Sequence, residues 1–455
     1  MGTLWGMTLD PAAFKAYDVR GIVPDQLDPD GAYRVGRAFV DVFAAKRIAI
    51  GHDMRLSSPA LAEAAVRGAL DGGADVAELG EIGTEMLYFA VADGGLDGGL
   101  IVTASHNPAE YNGMKIVRAE AQPVGGASGL GEVKAAALAE PAPAPVATPG
   151  AAAPLDVLPA YAERMLSLVD VASLRPLEIV LDGGSGMAGR MLGPILERLP
   201  VTAHGYYLEP DGSFPDHQPN PLLEENRAFA VAKVREHAGA LGIAWDGDAD
   251  RCFFIDEDGE FVPGDFMTAL LAEEVLRREP GATILYDVRA SRAVPDTVAR
   301  CGGTARVSRV GHAFIKVAMR ETGAAFGGEV SGHYYFREFH GVDTGILPAL
   351  LVLQLVSRSE QRLADLLRPL RERYHITGEI NSKVDDVALR IQELKDRFGP
   401  GGEISHLDGI SIDHPTWRFN VRPSNTEPLL RLNLEADSED EMVARRDEVL
   451  AVIRG

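Results

Sequence analysis

The sequence is poor in cysteine, in positive charge and in long apolar runs. Its two cysteines, Cys252 and Cys301, cannot build a disulfide framework or a cysteine-rich zinc site. A reducing compartment suits such a chain. Lys and Arg number 44 against 67 Asp and Glu, a net charge of −23. A nucleic-acid binder gains affinity from a basic footprint, and neither that nor a polybasic membrane patch is evident. An anionic substrate would have to be captured locally, by a few placed Arg and Lys residues. The most apolar stretch, Leu347 to Val356, is too short to span a bilayer and is interrupted by Gln354. It reads as a buried helix. Met1 to Asp10 carry no basic region and no long apolar core, so they do not read as a secretory signal. The expected location is cytoplasmic, with no nucleic-acid or membrane partner.

What remains is ordinary globular composition: 455 residues, 46% hydrophobic and 24% charged. At roughly 150 residues per domain this is about three domains or four small ones. Three segments pair a β-rich apolar run with an Asp-bearing turn: Arg47 to Leu56, Leu177 to Met187 and Ala282 to Arg292. Each precedes a stretch of helical period, clearest at Leu61 to Leu70, so three similar α/β domains are expected. The Ala/Pro tract Ala135 to Pro154 forbids a helix through its middle and reads as a linker or exposed crossing. Beyond Tyr374 the alternation at Trp417 to Val421 and Leu430 to Leu434 marks antiparallel strands. A last helix should start at the Ser438/Glu441 capping box. The expected fold is three similar α/β mixed-sheet domains, 1–150, 151–255 and 256–372, plus a smaller C-terminal α+β domain, 373–455.

Four segments could carry chemistry. Asp246-Gly-Asp248-Ala-Asp250-Arg251 lies between two β-like runs. In an extended chain its three carboxylates would point the same way and call for a cation, Mg²⁺ or Ca²⁺ by their hard oxygens. An EF-hand spacing competes but has Arg251 where Gly is needed; a solvated acidic turn is the other reading. Thr103-Ala-Ser105-His106-Asn107-Pro108 follows an apolar strand, and Ser105 could be a nucleophile with His106 or Lys115 as activator. A plain Ser/Asn/Pro turn explains the same residues. Arg422-Pro-Ser424-Asn425-Thr426-Glu427 offers a fork of donors and short polar groups suited to a phosphate dianion; a helix cap is the alternative. Gly327-Gly-Glu329-Val-Ser331-Gly-His333 could place Glu329 on a pair of sugar hydroxyls and His333 as acid or base, or be a tight turn.

Taken with Phe14-Lys-Ala-Tyr17-Asp-Val-Arg20-Gly21, Asn112-Gly-Met-Lys115 and Gly311-His312-Ala-Phe-Ile-Lys316, these strings run in order over nearly the whole chain. Together the chain resembles the α-D-phosphohexomutases, and its Glu-Val-Ser-Gly-His loop looks most like their phosphomannomutase/phosphoglucomutase branch. The resemblance implies four domains around a central cleft and a reversible exchange of hexose 1-phosphate and hexose 6-phosphate. It makes Ser105 the phosphorylated nucleophile. Asp246, Asp248 and Asp250 would hold one Mg²⁺, joined by an oxygen on Ser105. Arg251 would add positive charge, and Lys115 and His333 would be acid and base. Tyr17 and Arg20 would shape the serine side, and His312 would reach the substrate. Glu329 and Ser331 would bind the sugar, and Arg422, Ser424, Asn425 and Thr426 the distal phosphate. Arg289 stands where related enzymes often carry lysine, and Val330 where methionine is common. The resemblance further implies hexose 1,6-bisphosphate as activator, hexose phosphates as partners and a monomer or weak dimer. Rival readings are the same fold acting on glucosamine phosphates, an Asp-nucleophile phosphatase, and a sugar-phosphate binder without catalysis.

Overall fold

The protein is described by a computed structural model covering residues 9–126, 128–423 and 429–455. The chain forms two compact units: Met1–Phe261 with His333–Glu360, and Val262–Gly332 with Gln361–Gly455.

The first unit carries two mixed sheets. Strands Arg47–His52, Asp75–Glu81 and Gly98–Val102 run parallel, and Tyr111–Arg118 and Val19–Ile22 add antiparallel strands at one side. Helices Pro29–Phe43 and Ser58–Asp71 cover this sheet. Asp28 caps the first, accepting from Gly31 N at 2.8 Å, and Pro29 opens it. The two helices can approach closely only because both carry glycine at the crossing. A Cβ at Gly36 would lie 2.2 Å from Ala65 O, and one at Gly68 2.0 Å from Tyr33 O. In the second sheet Leu177–Asp182 pairs in parallel with Leu241–Trp245 and Val201–Tyr206. Leu241–Trp245 then turns back antiparallel into Cys252–Ile255. Helix Ile346–Ser359 is buried along most of its length, as its apolar run predicts.

The Ala/Pro tract is more than a linker. Val146 N and Gly150 N donate to Asp71 O and Leu70 O, and Ala152–Pro154 joins the first sheet beside Asp75–Glu81. Proline removes donors from the tract, yet the remaining N–H groups still find carbonyls, at the end of helix Ser58–Asp71 and along the sheet edge.

In the second unit Thr283–Asp287 lies parallel to Thr304–Ser308 and Phe326–Gly328. Helix Ala293–Arg300 follows it. The C-terminal sheet is antiparallel, in the order His375–Lys383, Leu429–Ala436, Trp417–Pro423, Ile410–Asp413, Glu403–Ser405. Its alternate residues Phe419, Val421, Leu430, Leu432 and Leu434 form a core with Leu394, Val449 and Ile453 from two helices. Ser438 caps the last helix, Glu439–Arg454, accepting from Glu441 N at 3.3 Å. Among the described residues no helix is long and apolar enough to cross a membrane.

Candidate active site

Two loops meet in the first unit. The strand Gly98–Val102 ends in a turn that carries Ser105 at φ +49°, a backbone state that costs a non-glycine residue energy. Arg55 holds that turn. Its buried guanidinium donates to the carbonyls of Ser105 at 2.7 Å, Asn107 at 2.6 Å, Pro108 at 2.7 Å and Tyr111 at 3.0 Å. Asp53 orients Arg55 from 3.4 Å. Arg20 adds a bond to Ala104 O at 3.2 Å and one to Asn107 Oδ1 at 2.6 Å. Arg20 is thus tied to the serine turn, with Asp18 at 2.6 Å as its counter-ion.

The second loop joins Leu241–Trp245 to Cys252–Ile255. It is a turn rather than extended chain, so the carboxylates do not converge for the reason the sequence suggests. Ala249 at φ +60° and a bond from Ala249 N to Asp246 O at 3.1 Å fold it back on itself. The result is still convergence: Asp246, Asp248 and Asp250 are buried, each with an oxygen within 4.8 Å of the others. Gly247 lets the loops touch, since a Cβ there would sit 2.5 Å from Ser105 O. Ser105 Oγ donates to Asp246 Oδ2 at 2.7 Å. His106 Nδ1 lies 3.0 Å from the same hydroxyl. Burial, helped by the charges of Arg251 and Arg20, holds that imidazole well below its usual pKa and therefore neutral.

Positive charge is unevenly shared among the carboxylates: burial would raise Asp250, but Lys115, His333 and Arg251 outweigh it and hold it well below the usual carboxylate range. Burial, then repulsion by Asp248 and Asp250, pushes Asp246 up to about 7. Lys115 Nζ reaches Asp248 Oδ2 at 2.6 Å and also contacts Asp250. Burial alone would lower the lysine, but Asp248 and Asp250 outweigh it and hold Lys115 as an ammonium. Thr84 Oγ1 also donates to Asp248 Oδ2, at 2.5 Å. Asp248 Oδ1 is buried and, among the described residues, accepts no hydrogen bond. A buried anionic oxygen with no donor, inside a set of hard oxygen ligands, fits a divalent cation. Arg251 donates from Nε to His333 Nε2 at 3.3 Å and lies 3.6 Å from Asp246 Oδ2. His333 Nε2 lies 3.5 Å from Asp250 Oδ1, and Asp343 joins Asp250 and His333 as a second group with ligand-type atoms this close. Ser105, Lys115, the three aspartates, Arg251 and His333 are therefore one constellation; Arg20 reaches it through the turn. Tyr17, half-buried, sits where Gly126 N bonds its neighbour Ala16.

The second unit holds a different group. Arg289 donates to both oxygens of Asp287 at 2.9 Å. Its Nη2 stands 4.0 Å from Glu329 Oε1, and its Nη1 3.6 Å from Glu379 Oε2. Glu329 is buried and accepts from Gly311 N at 2.8 Å, which brings the start of the His312–Thr322 helix to the same place. Ser331 follows in the same loop and is half-buried. Arg422 and Arg431 both pair with Glu379, at 3.1 and 3.3 Å. Ser424, Asn425 and Thr426 lie outside the described residues.

Sequence reasoning missed Arg55, Thr84, Glu379 and Arg431. Arg55 sits in a turn noticed only as the end of a strand. Glu379 and Arg431 carry no local motif; only strand pairing brings them together.

The chain matches the family models for phosphoglucomutase/phosphomannomutase domain I over residues 11–134 and domain II over 159–259. Domain III matches over 263–374 and the C-terminal domain over 379–452. It is 43% identical over 445 residues to the phosphohexose mutases of Xanthomonas campestris pv. campestris strain B100, covering 97% of this chain and 99% of the relative. A phosphomannomutase of Escherichia coli is 42% identical over 452 residues, with 97% and 99% covered. A crystal structure of a phosphoglucomutase/phosphomannomutase family protein from Burkholderia thailandensis superposes with a TM-score of 0.89 at 31% identity, covering 98% of this chain and 97% of that one. With all four domain models matched in order, and full-length relatives above 40% identity, the chain belongs to the phosphoglucomutase/phosphomannomutase family.

Proposed function

We propose that this chain is a phosphohexose mutase, an intramolecular phosphotransferase that interconverts hexose 1-phosphate and hexose 6-phosphate, with mannose and glucose phosphates as substrates. The observation that carries the reading is Ser105 Oγ at 2.7 Å from Asp246 Oδ2, inside a buried cluster of three carboxylates. A serine held there by a strained, four-carbonyl staple is a fixed phosphoryl carrier rather than a surface hydroxyl.

The reaction is a two-step exchange. Phospho-Ser105 transfers its phosphoryl group to the 6-hydroxyl of a hexose 1-phosphate, and that hydroxyl gives up its proton. The hexose 1,6-bisphosphate turns over, and the 1-phosphoryl group returns to Ser105, leaving the 6-phosphate. Free bisphosphate activates by phosphorylating Ser105 directly. Such transfers depend on positioning and on charge placed around the phosphoryl oxygens. Asp246, Asp248 and Asp250 are the residues to hold Mg²⁺, which when bound neutralises charge on the group in flight. Lys115, held as an ammonium by Asp248 and Asp250, would stabilise the charge building on the leaving serine oxygen and is the candidate acid. His333 would take up the hydroxyl proton, for which its Nε2 has to exchange the Arg251 Nε donor, 3.3 Å away, for the substrate hydroxyl. Glu329 and Ser331 would meet sugar hydroxyls, with His312 beside them. Arg422, with Ser424, Asn425 and Thr426, would hold the phosphate that is not reacting. Tyr17 and Arg20 would frame the serine turn.

A mutase assay with Mg²⁺ and catalytic glucose 1,6-bisphosphate tests the reading, with mannose, glucose and glucosamine 1-phosphates compared and Ser105→Ala as control. Turnover of the first two, lost in the variant, is expected. Turnover of glucosamine 1-phosphate alone would move the substrate class. No turnover by the folded protein, or a variant near wild type, would overturn the proposal.

A further inference from the structure

The arginine cluster of the second unit is arranged around a carboxylate of its own. Glu379 stands on the strand His375–Lys383. Arg422 and Arg431 face each other across the next two strands, and Arg431 pairs in turn with Asn381, two residues along from Glu379. Side chains two apart on a strand share a face, and directly paired residues do too, so register alone puts all three on one side of the sheet. Arg289 arrives from Thr283–Asp287, with Asp287 holding its Nε and Nη2 and leaving Nη1 toward Glu379. One carboxylate therefore meets three guanidinium groups at 3.1, 3.3 and 3.6 Å.

Its position on that face is partly open. The Arg431 and Glu379 side chains keep 30% and 23% exposure, while Arg422 keeps 10%. Burial favours protonation of Glu379, but Arg289, Arg422 and Arg431 outweigh it and keep the carboxylate ionised. The donors turned to Glu379 are those a phosphate dianion would need. A phosphate brings more charge and three oxygens, so it can compete for them, against an anion already in place.

We infer that Glu379 is an internal competitor for the substrate phosphate, and that Arg289 and Arg431 belong with Arg422 to the clamp it occupies. This rests on the mutase reading above. A mutase needs a clamp that each end of a bisphosphate can take and leave in turn. Binding that is equally tight in every state does not speed chemistry and delays departure. A resident carboxylate sets that affinity, with no cost to the charge balance of the empty clamp. Glu379 acts through the arginines and is a positioning residue.

The test is the titration of inorganic phosphate into the full-length protein by calorimetry, beside the phosphate-induced rise in Tm. Glu379→Gln is expected to bind phosphate about tenfold more tightly, since one negative charge a few ångströms from the ligand is removed. Its KM for glucose 1-phosphate should fall, and kcat should fall with it. Glu379→Asp, whose carboxylate is drawn back by one methylene, should tighten phosphate binding by a smaller factor and serves if the Gln variant does not fold. A residue that merely aligned the arginines would give weaker binding in both variants. Unchanged or weaker phosphate binding therefore overturns the inference. Tighter phosphate binding in a protein whose wild type turns over no hexose phosphate would sink the mutase reading and leave the clamp inference standing.

Discussion

The two charged clusters are electrical opposites. In the first unit Lys115 closes on Asp248 and Asp250, while Asp246 lies 3.6 Å from Arg251. In the second, three guanidinium groups close on one carboxylate, Glu379. They differ most in access to water. Asp246, Asp248 and Asp250 are at most 1% exposed, whereas the Glu379 and Arg431 side chains keep 23% and 30%. Charge interactions strengthen as water is excluded, so the first cluster suits a group that stays, a cation. The second suits a ligand that arrives and leaves, a phosphate.

The sharpest way to break the comparison is Asp248→Asn. It removes half the hold on Lys115 and an oxygen ligand from the cation set. The expected loss in kcat/KM is on the order of 10³-fold, in the range of losing an electrostatic stabiliser of a transition state. A Mg²⁺ titration of activity should show a weakened midpoint; retention within tenfold at ordinary Mg²⁺ would remove the resident-cation reading. Next in size is Arg55→Lys. The charge survives but the planar fork does not, so carbonyls of the serine turn lose their donors. Unfolding by urea should show a stability loss of about 3 kcal/mol, with kcat falling as Ser105 loses its fixed place. A variant as stable as wild type would show that the turn holds itself. In the second unit Arg422→Gln should act on binding instead. One charge-assisted contact to phosphate is worth about 2 kcal/mol, so KM should rise about 30-fold while kcat moves little. Equal falls in kcat and kcat/KM would place Arg422 with the chemistry and erase the contrast between the clusters.

The sequence makes the first cluster easier to read than the second. Ser105 and the Asp246 to Arg251 string are short, local and polar in apolar surroundings, so they stand out. Even so, the geometry expected for the aspartates was wrong in kind. An extended chain was expected, while a turn with Ala249 in the left-handed region brings the oxygens together. Three strand–helix units and the alternating C-terminal strands were legible because their periodicity is local. What holds the two loops was not: Arg55 meets Ser105 O across 50 positions and Thr84 meets Asp248 across 164. The Arg422 contact with Glu379 spans 43 positions and depends on strand register. For the Ala/Pro tract the sequence leaves a linker or an exposed crossing open, and the exposed crossing holds. The tract is largely exposed, but its few N–H groups are enough to fasten it to the helix end and the sheet.

The smallest effect belongs to a carboxyl that sits behind the first cluster and takes no part in the chemistry. Glu85 is fully buried, contacts the Tyr161 hydroxyl and accepts from Gly345 N at 2.7 Å. Burial pushes it up to about 8 from the ordinary 4.5, although its hydrogen bonds pull the other way. The folded protein therefore holds a proton there that the unfolded chain releases from about pH 4.5 upward. Stability linked to Glu85 is fully present below that pH and is lost as the pH rises through about 8. Glu85→Gln has no proton to lose and can keep both hydrogen bonds. Its Tm should match wild type near pH 5 and exceed it at pH 8.5, by the equivalent of about 1–2 kcal/mol once local opening limits the penalty. Mutase turnover at pH 7 should change less than twofold. A Tm difference that stays constant with pH would mean that Glu85 is ionised in the fold. The carboxylates of the first unit would then be a larger connected anion set than the three aspartates alone, and Lys115 would be its partner in a different balance.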